Sequence, residues 1–184
     1  YSDYVTVRNC RFRDIGRYGI YTEKDFDDNY QFYIRGYKSL LVEDCDFYRC
    51  RSGVSMGTGH IHKTDRHKGN MIIRNCFFYN TELKNPNTNA AWGGTVRQNL
   101  FSNTEMSAVN VKAVDYTIDK NEFSFCANNC GDMGVIYSGR SAVGCQGITI
   151  SNNLIHHYGP ERGADIYTGA MYFDDFLCGV TAKG

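Results

Sequence analysis

The chain of 184 residues has only two prolines, and its 20 basic residues cancel its 20 acidic ones. A balanced charge argues against nucleic acid as a partner, because phosphate binding calls for a basic face. No apolar run approaches the ~20 residues that a membrane-spanning helix needs. Helical periodicity is also missing, since apolar residues alternate with period two. Cysteine is plentiful at eight, but its spacing lacks the paired C-x-x-C halves of a zinc site, so neither a metal site nor a cofactor is expected. What remains is glycine (19) and aromatic residues (14%), a composition suited to many short strands joined by tight turns. The length suits a single domain spanning 1–184.

One pattern recurs from end to end: apolar-x-apolar-x-polar-(Cys/Asn)-x-Phe. It reads Val5-Thr6-Val7-Arg8-Asn9-Cys10-Arg11-Phe12, then Leu40 to Phe47, Met71 to Phe78, Gly94 to Phe101, Tyr116 to Phe123 and Ile148 to Ile155. A further copy begins at Val180-Thr181-Ala182. The Cys/Asn position falls at 10, 45, 76, 99, 121 and 153, and the shortest steps, 23 and 22 residues, look like bare coils without inserted loops. Strands repeated at that interval stack in parallel, one coil on the next at about 4.8 Å. The expected fold is all-β, a right-handed parallel β-helix of about six coils, incomplete at both ends. The remaining coils are then expected in a longer polypeptide of which this is a segment, because stack ends are normally capped.

The columns follow from the repeat. Val7, Val42, Ile73, Val96, Ile118 and Ile150 should stack inward, beside an aromatic column of Phe12, Phe47, Phe78, Phe101 and Phe123 that ends on Ile155. Cys10, Cys45 and Cys76 read as small apolar fillers. Asn99, Asn121 and Asn153 continue their column, bonding to backbone and to one another and tolerating a left-handed turn.

A second strand after each Phe should point Ile20, Val54, Val109, Ile136 and Met171 inward. Tyr21, Ser55, Trp92, Asn110, Tyr137 and Tyr172 should then face outward on one side, next to Glu23, Lys112, Gly139 and Asp174. An exposed ladder of rings beside charges suits a sugar, whose apolar faces stack on aromatics and whose hydroxyls bond to charged groups. The same residues also fit an ordinary solvated face. Asp25, Asp27 and Asp28 form an acidic loop without the spacing of a calcium loop. The histidine-rich stretch Gly57 to Lys68 reads either as a basic lip over the groove or as a polar turn.

The run DMGVIYSGR, then GITISNNLIHHYG and GAMYFDDFLCGVTAKG, resembles the bacterial right-handed parallel β-helix proteins related to glycoside hydrolase family 141. Those typically show D-G-G-A-I-Y-T-G-R, a strand ending N-x-x-H-D, and G-I-Y-L-D-D. The likeness covers 131–184, with DMG in place of D-G-G and His157 where an acid often stands. It implies a carbohydrate-active protein of the pectate-lyase-like superfold that is secreted, periplasmic or at the cell surface. The catalytic carboxylates would be Asp132 and Asp174 or Asp175, with Arg140 and His156 at further motif positions.

Glycoside hydrolysis commonly uses two carboxylates, about 5–5.5 Å apart for retention or 6.5–9.5 Å for inversion. Register puts Asp175 beside Arg140, a neighbour that favours the ionised carboxylate and hence a base or nucleophile role, leaving Asp132 or Asp174 as the acid. Register also puts Cys145 and Cys178 one coil apart, where an oxidising compartment would join them. Two rival readings share the fold. A polysaccharide lyase or uronate epimerase would recruit calcium or basic residues such as Lys112, Arg97 and the His60–Lys68 loop. A non-catalytic stalk, adhesin or tailspike segment would only bind glycan. Fold does not choose among them.

Overall fold

The computed structural model of the chain describes residues 4–22, 39–57, 70–83, 86–139, 146–160, 167–175 and 177–184, with backbone only at 21–22, 56–57 and 87–92. Among the described residues every element is a strand: β1 (Tyr4–Arg8), β2 (Arg11–Arg13), β3 (Tyr18–Thr22), β4 (Ser39–Glu43), β5 (Asp46–Tyr48), β6 (Ser52–Gly57), β7 (Asn70–Arg74), β8 (Phe77–Thr81), β9 (Asn87–Arg97), β10 (Leu100–Thr104), β11 (Val109–Asp119), β12 (Glu122–Cys126), β13 (Met133–Ser138), β14 (Ile148–Ser151), β15 (Leu154–His156), β16 (Thr168–Phe173) and β17 (Val180–Lys183). All pairings between them are parallel, each strand with its counterpart one coil on. The chain is a parallel β-helix with three faces.

The first face stacks β1, β4, β7, the second halves of β9 and β11, β14 and β17. Here Val7, Val42, Ile73, Val96, Ile118, Ile150 and Ala182 are in register, as the repeat predicts. The second face stacks β2, β5, β8, β10, β12 and β15. Its inward column runs Phe12, Phe47, Phe78, Phe101, Phe123 and Ile155, and successive rings stack 4.7–4.9 Å apart. Phe47, Phe78, Phe101 and Phe123 are fully buried, so truncating one to alanine would cost about 3–5 kcal/mol.

The corner between these two faces carries the Cys/Asn column. Asn99 donates from Nδ2 to the Ile73 carbonyl (3.1 Å) and to Asn121 Oδ1 (3.0 Å). Asn121 repeats the pattern toward Val96 and Asn153. The left-handed conformation does not fall on these residues, as expected from their type, but on the one before each: Asn9, Asp44, Asn75, Gln98, Lys120 and Asn152, with φ of 52 to 55°.

The third face stacks β3, β6, the first halves of β9 and β11, β13 and β16. Its register corrects one alignment. Asn110 pairs with Asn87, and Ser55 also pairs with Asn87, so Asn87 and not Trp92 occupies the outward column. Trp92 pairs with Val114, further along the same strand, after a bulge that skips Ala90. The short coil between Cys76 and Asn99 makes its third strand begin directly after Pro86 and run without a break into the next coil's first strand.

Candidate active site

Along the third face Tyr21, Ser55, Asn87, Asn110, Tyr137 and Tyr172 are in register. The expected solvent-facing ladder is largely covered: Ser55, Asn110 and Tyr137 are buried, at 7%, 2% and 6% exposure. The side chains of Tyr21 and Trp92 lie outside the described residues, as do Arg140, the acidic loop with Asp25, Asp27 and Asp28, and the His60–Lys68 stretch. Cys145 lies outside them too, so its pairing with Cys178 is not described. Of the inward set, Val54, Val109 and Ile136 are fully buried, whereas Met171 is 41% exposed.

What the face brings together is a pair of tyrosines and a pair of aspartates. Tyr137 on β13 and Tyr172 on β16 stack with centroids 5.8 Å apart and planes 12° from parallel. Tyr137 donates its hydroxyl to Asp174 Oδ2 at 2.8 Å. Tyr172 donates to Asp132 Oδ1 at 2.9 Å. Each ring therefore serves the carboxylate of the other coil, and the two bonds cross. The other oxygen of Asp174 accepts the backbone N–H of Asp175 at 2.9 Å. Burdened by the neighbouring Asp132 carboxylate, which takes its hydrogen bond, Tyr172 is pushed above the ordinary phenol range.

The backbone is shaped for this arrangement. Asp132 and Asp175 sit in the left-handed region, with φ of 55° and 48°, which turns the chain at the two ends of the strands. Gly139 leaves the room that the Tyr137 hydroxyl crosses: a Cβ there would lie 2.8 Å from Asp174 Cβ and 3.0 Å from Tyr137 Oη. Gly134 does the same for Tyr172, whose Cβ would be 2.7 Å away. Asp132 and Asp175 are exposed and Asp174 is half-buried, so the carboxylates border solvent. Lys112 is half-buried on the same face, two residues beyond the Asn110–Tyr137 pair and so level with Gly139.

His156 is not part of this cluster. It lies on β15 of the second face, in register with Ser124, and contacts Glu122 Oε1 through Nε2 (3.3 Å) and His157 through Nδ1 (2.7 Å). Sequence reasoning treated the two tyrosines as sugar platforms only and missed that they hold the aspartates. It also passed over Tyr48, Phe77 and Tyr79, which period-two alternation around the inward Phe47 and Phe78 places outward on the second face. No group of three or more His, Cys, Asp or Glu side chains among the described residues is arranged to hold a metal ion, and no helix among them is long and apolar enough to cross a membrane.

The handed stacking of these coils is matched by a family model described as right handed beta helix region, over residues 1–175. The chain belongs to that family. No curated protein and no solved structure matches it.

Proposed function

We propose that this right-handed β-helix is a carbohydrate-active enzyme akin to glycoside hydrolase family 141, hydrolysing glycosidic bonds of a complex polysaccharide outside the cytoplasm. The observation that carries the reading is the crossed pair of hydrogen bonds, Tyr137 to Asp174 and Tyr172 to Asp132, which ties two carboxylates from opposite ends of paired strands to one stack of two tyrosines. Asp174 accepts two donors, one at each oxygen, and is oriented as an acceptor. That suits the base or nucleophile: it takes a proton from the attacking water or bonds to the anomeric carbon itself. Asp132 has one phenol donor and an exposed carboxyl, which suits the acid that protonates the departing glycosidic oxygen. Asp175 supports Asp174 through its backbone N–H. No cofactor is needed for this chemistry.

A lyase would need a deprotonated base at the same place. Tyr172 is pushed away from ionisation by Asp132, and Arg97 lies on the first face, in register with Asp119. The test is incubation of the full chain with plant, algal and bacterial polysaccharides, with and without chelator, reading reducing ends and unsaturated products. Reducing ends without unsaturation, indifferent to chelator, are expected. Unsaturated product lost on chelation, or full activity after Asp132, Asp174 and Asp175 are each changed to Asn, would overturn the reading.

A further inference from the structure

The corner at the end of the second face carries a column of residues in the left-handed region. Asp14, Arg49, Asn80, Asn103, Phe125 and His157 each follow the outward residue of their strand, with φ of 49 to 57°. In the middle coils amides join the column: Asn103 donates to Asn80, and Asn128 donates to Asn103 Oδ1 at 2.8 Å. The last two members are rings. Phe125 is a bulky side chain in a conformation that such residues rarely adopt, and it is 53% exposed. His157 stacks on it with centroids 5.1 Å apart and planes 19° from parallel.

His157 is also held by its neighbour in the chain. Its Nδ1 lies 2.7 Å from Nδ1 of His156, and with the ring centroids 5.0 Å apart the two nitrogens point at one another nearly head-on. Nε2 of His156 contacts Glu122 Oε1 at 3.3 Å. These contacts assign the protons. An ionised carboxylate only accepts, so His156 carries its hydrogen on Nε2 and leaves Nδ1 bare. His157 must then donate from Nδ1, and its own Nε2 is bare. The chain of contacts starts at Glu122, the first residue of β12, passes through both imidazoles and returns to Phe125 near the end of the same strand. Lys120, on the corner before β12, lines a groove together with Glu122. Among the described residues no charged side chain other than Glu122 bonds to either ring.

We infer that Glu122, His156 and His157 form a proton-operated clasp that fastens the turn at His157 to the coil below. A first added proton goes to His157 Nε2, the bare nitrogen outside the chain of bonds. Every contact is kept, and the charged ring gains the attraction of the Phe125 face on which it lies. A second proton goes to His156 Nδ1, the nitrogen that accepts the bond. Two N–H groups and two like charges then meet at 2.7 Å, so the rings part and His157 leaves Phe125. The clasp is closed with no added proton or with one, and the second opens it. Acidification therefore uncovers the Phe125 ring at a corner that is otherwise lined by polar side chains. None of these residues belongs to the Tyr–Asp cluster, so the clasp stands apart from the hydrolase reading.

The test is an NMR titration of the imidazole nitrogens in the full, isotopically labelled chain, with His156→Gln and His157→Gln used to identify the signals. At neutral pH His157 should carry its proton on Nδ1 and His156 on Nε2. A scalar coupling between the two Nδ1 nuclei should report the bond that joins them. On acidification Nε2 of His157 should protonate first, with the coupling retained. Protonation of His156 should then abolish the coupling, together with the shift that the Phe125 ring imposes on His157. Glu122→Ala, an exposed change that leaves the core intact, should keep the coupling but mix the two proton arrangements. A neutral His157 protonated on Nε2, no coupling at any pH, both rings protonating at one common midpoint, or a His157–Phe125 stack that survives full protonation would overturn the inference. So would a proton arrangement unchanged by Glu122→Ala.

Discussion

Tyr137 and Asp174 are 37 positions apart and joined across one coil by a 2.8 Å hydrogen bond from the phenol to Oδ2. Tyr137 is almost fully buried, so the bond is a fixed strut for a carboxylate that itself borders solvent. Changing Tyr137 to Phe keeps the stack on Tyr172 but removes the strut. A hydrogen bond to a charged group contributes about 1.5–3 kcal/mol to stability, so the melting temperature is expected to fall by roughly 3–12 °C, and kcat/KM to fall as Asp174 loses its fixed orientation. Asp174→Asn should cost about 10²–10⁴-fold, the usual range for a general base or acid. Reducing-end kinetics on the best substrate of the panel check both.

Gly139 is expected to be as sensitive as the tyrosine. A methyl group there meets both ends of the strut, Asp174 Cβ at 2.8 Å and Tyr137 Oη at 3.0 Å. Gly139→Ala should therefore displace Asp174 and lower kcat while leaving KM nearly constant. A variant with wild-type kcat would show that the spacing of this pair does not matter to turnover.

The asparagine ladder makes a prediction about stability. Asn121 Oδ1 accepts from both the backbone N–H and the side-chain amide of Asn99, and its own amide donates to Val96 O. Asn121→Ala leaves buried backbone groups of Asn99 and Val96 unpaired, at about 1–3 kcal/mol for each. Urea unfolding should show a loss of about 2–5 kcal/mol. Cys76 occupies the equivalent place one coil before Asn99, with Sγ 3.8 Å from the Val42 carbonyl. Its buried thiol is pushed up to about 12 by desolvation, so it should stay unreactive to thiol reagents until the chain is denatured.

Acid should weaken the first face. Glu43, 4% exposed, is bridged by Arg74 at 2.6 Å and also paired with Arg8. The Arg74 hydrogen bond, followed by that from Arg8, holds its carboxyl below the usual value of 4.5. A carboxylate with a lowered folded pKa contributes stability that is present above the unfolded pKa and lost as pH falls through the folded one. The difference in urea midpoint between wild type and Glu43→Gln should be widest near neutrality and shrink below about pH 4.5. A difference that stays constant down to pH 3 would contradict the linkage.

Some of the site was written in plain alternation. Ile155 ends the phenylalanine column, and that alone places His156 outward on the second face and apart from Asp174. The aspartates were found through the resemblance, and their placement at opposite ends of equivalent strands follows from the repeat. The crossing of the two hydrogen bonds does not, because it depends on where each ring leans within its stack. The misplacement of Trp92 has another source: in this short coil the third strand starts at Asn87 and runs unbroken into the next coil's first strand, so the column residue lies five positions before Trp92.

The sequence by itself determined the solenoid: the coil length, the aliphatic and phenylalanine columns, and the Cys-to-Asn corner. In a parallel stack the same position recurs at a fixed rise, so a one-dimensional repeat becomes a three-dimensional column with no further information. Only the tertiary structure decided which outward positions reach water. Ser55, Asn110 and Tyr137 alternate outward yet are covered, whereas Tyr172 and the aspartates beside it remain accessible. Alternation sets which side of a sheet a residue points to, but burial depends on what packs over that side, and contacts between distant parts of the chain are not periodic.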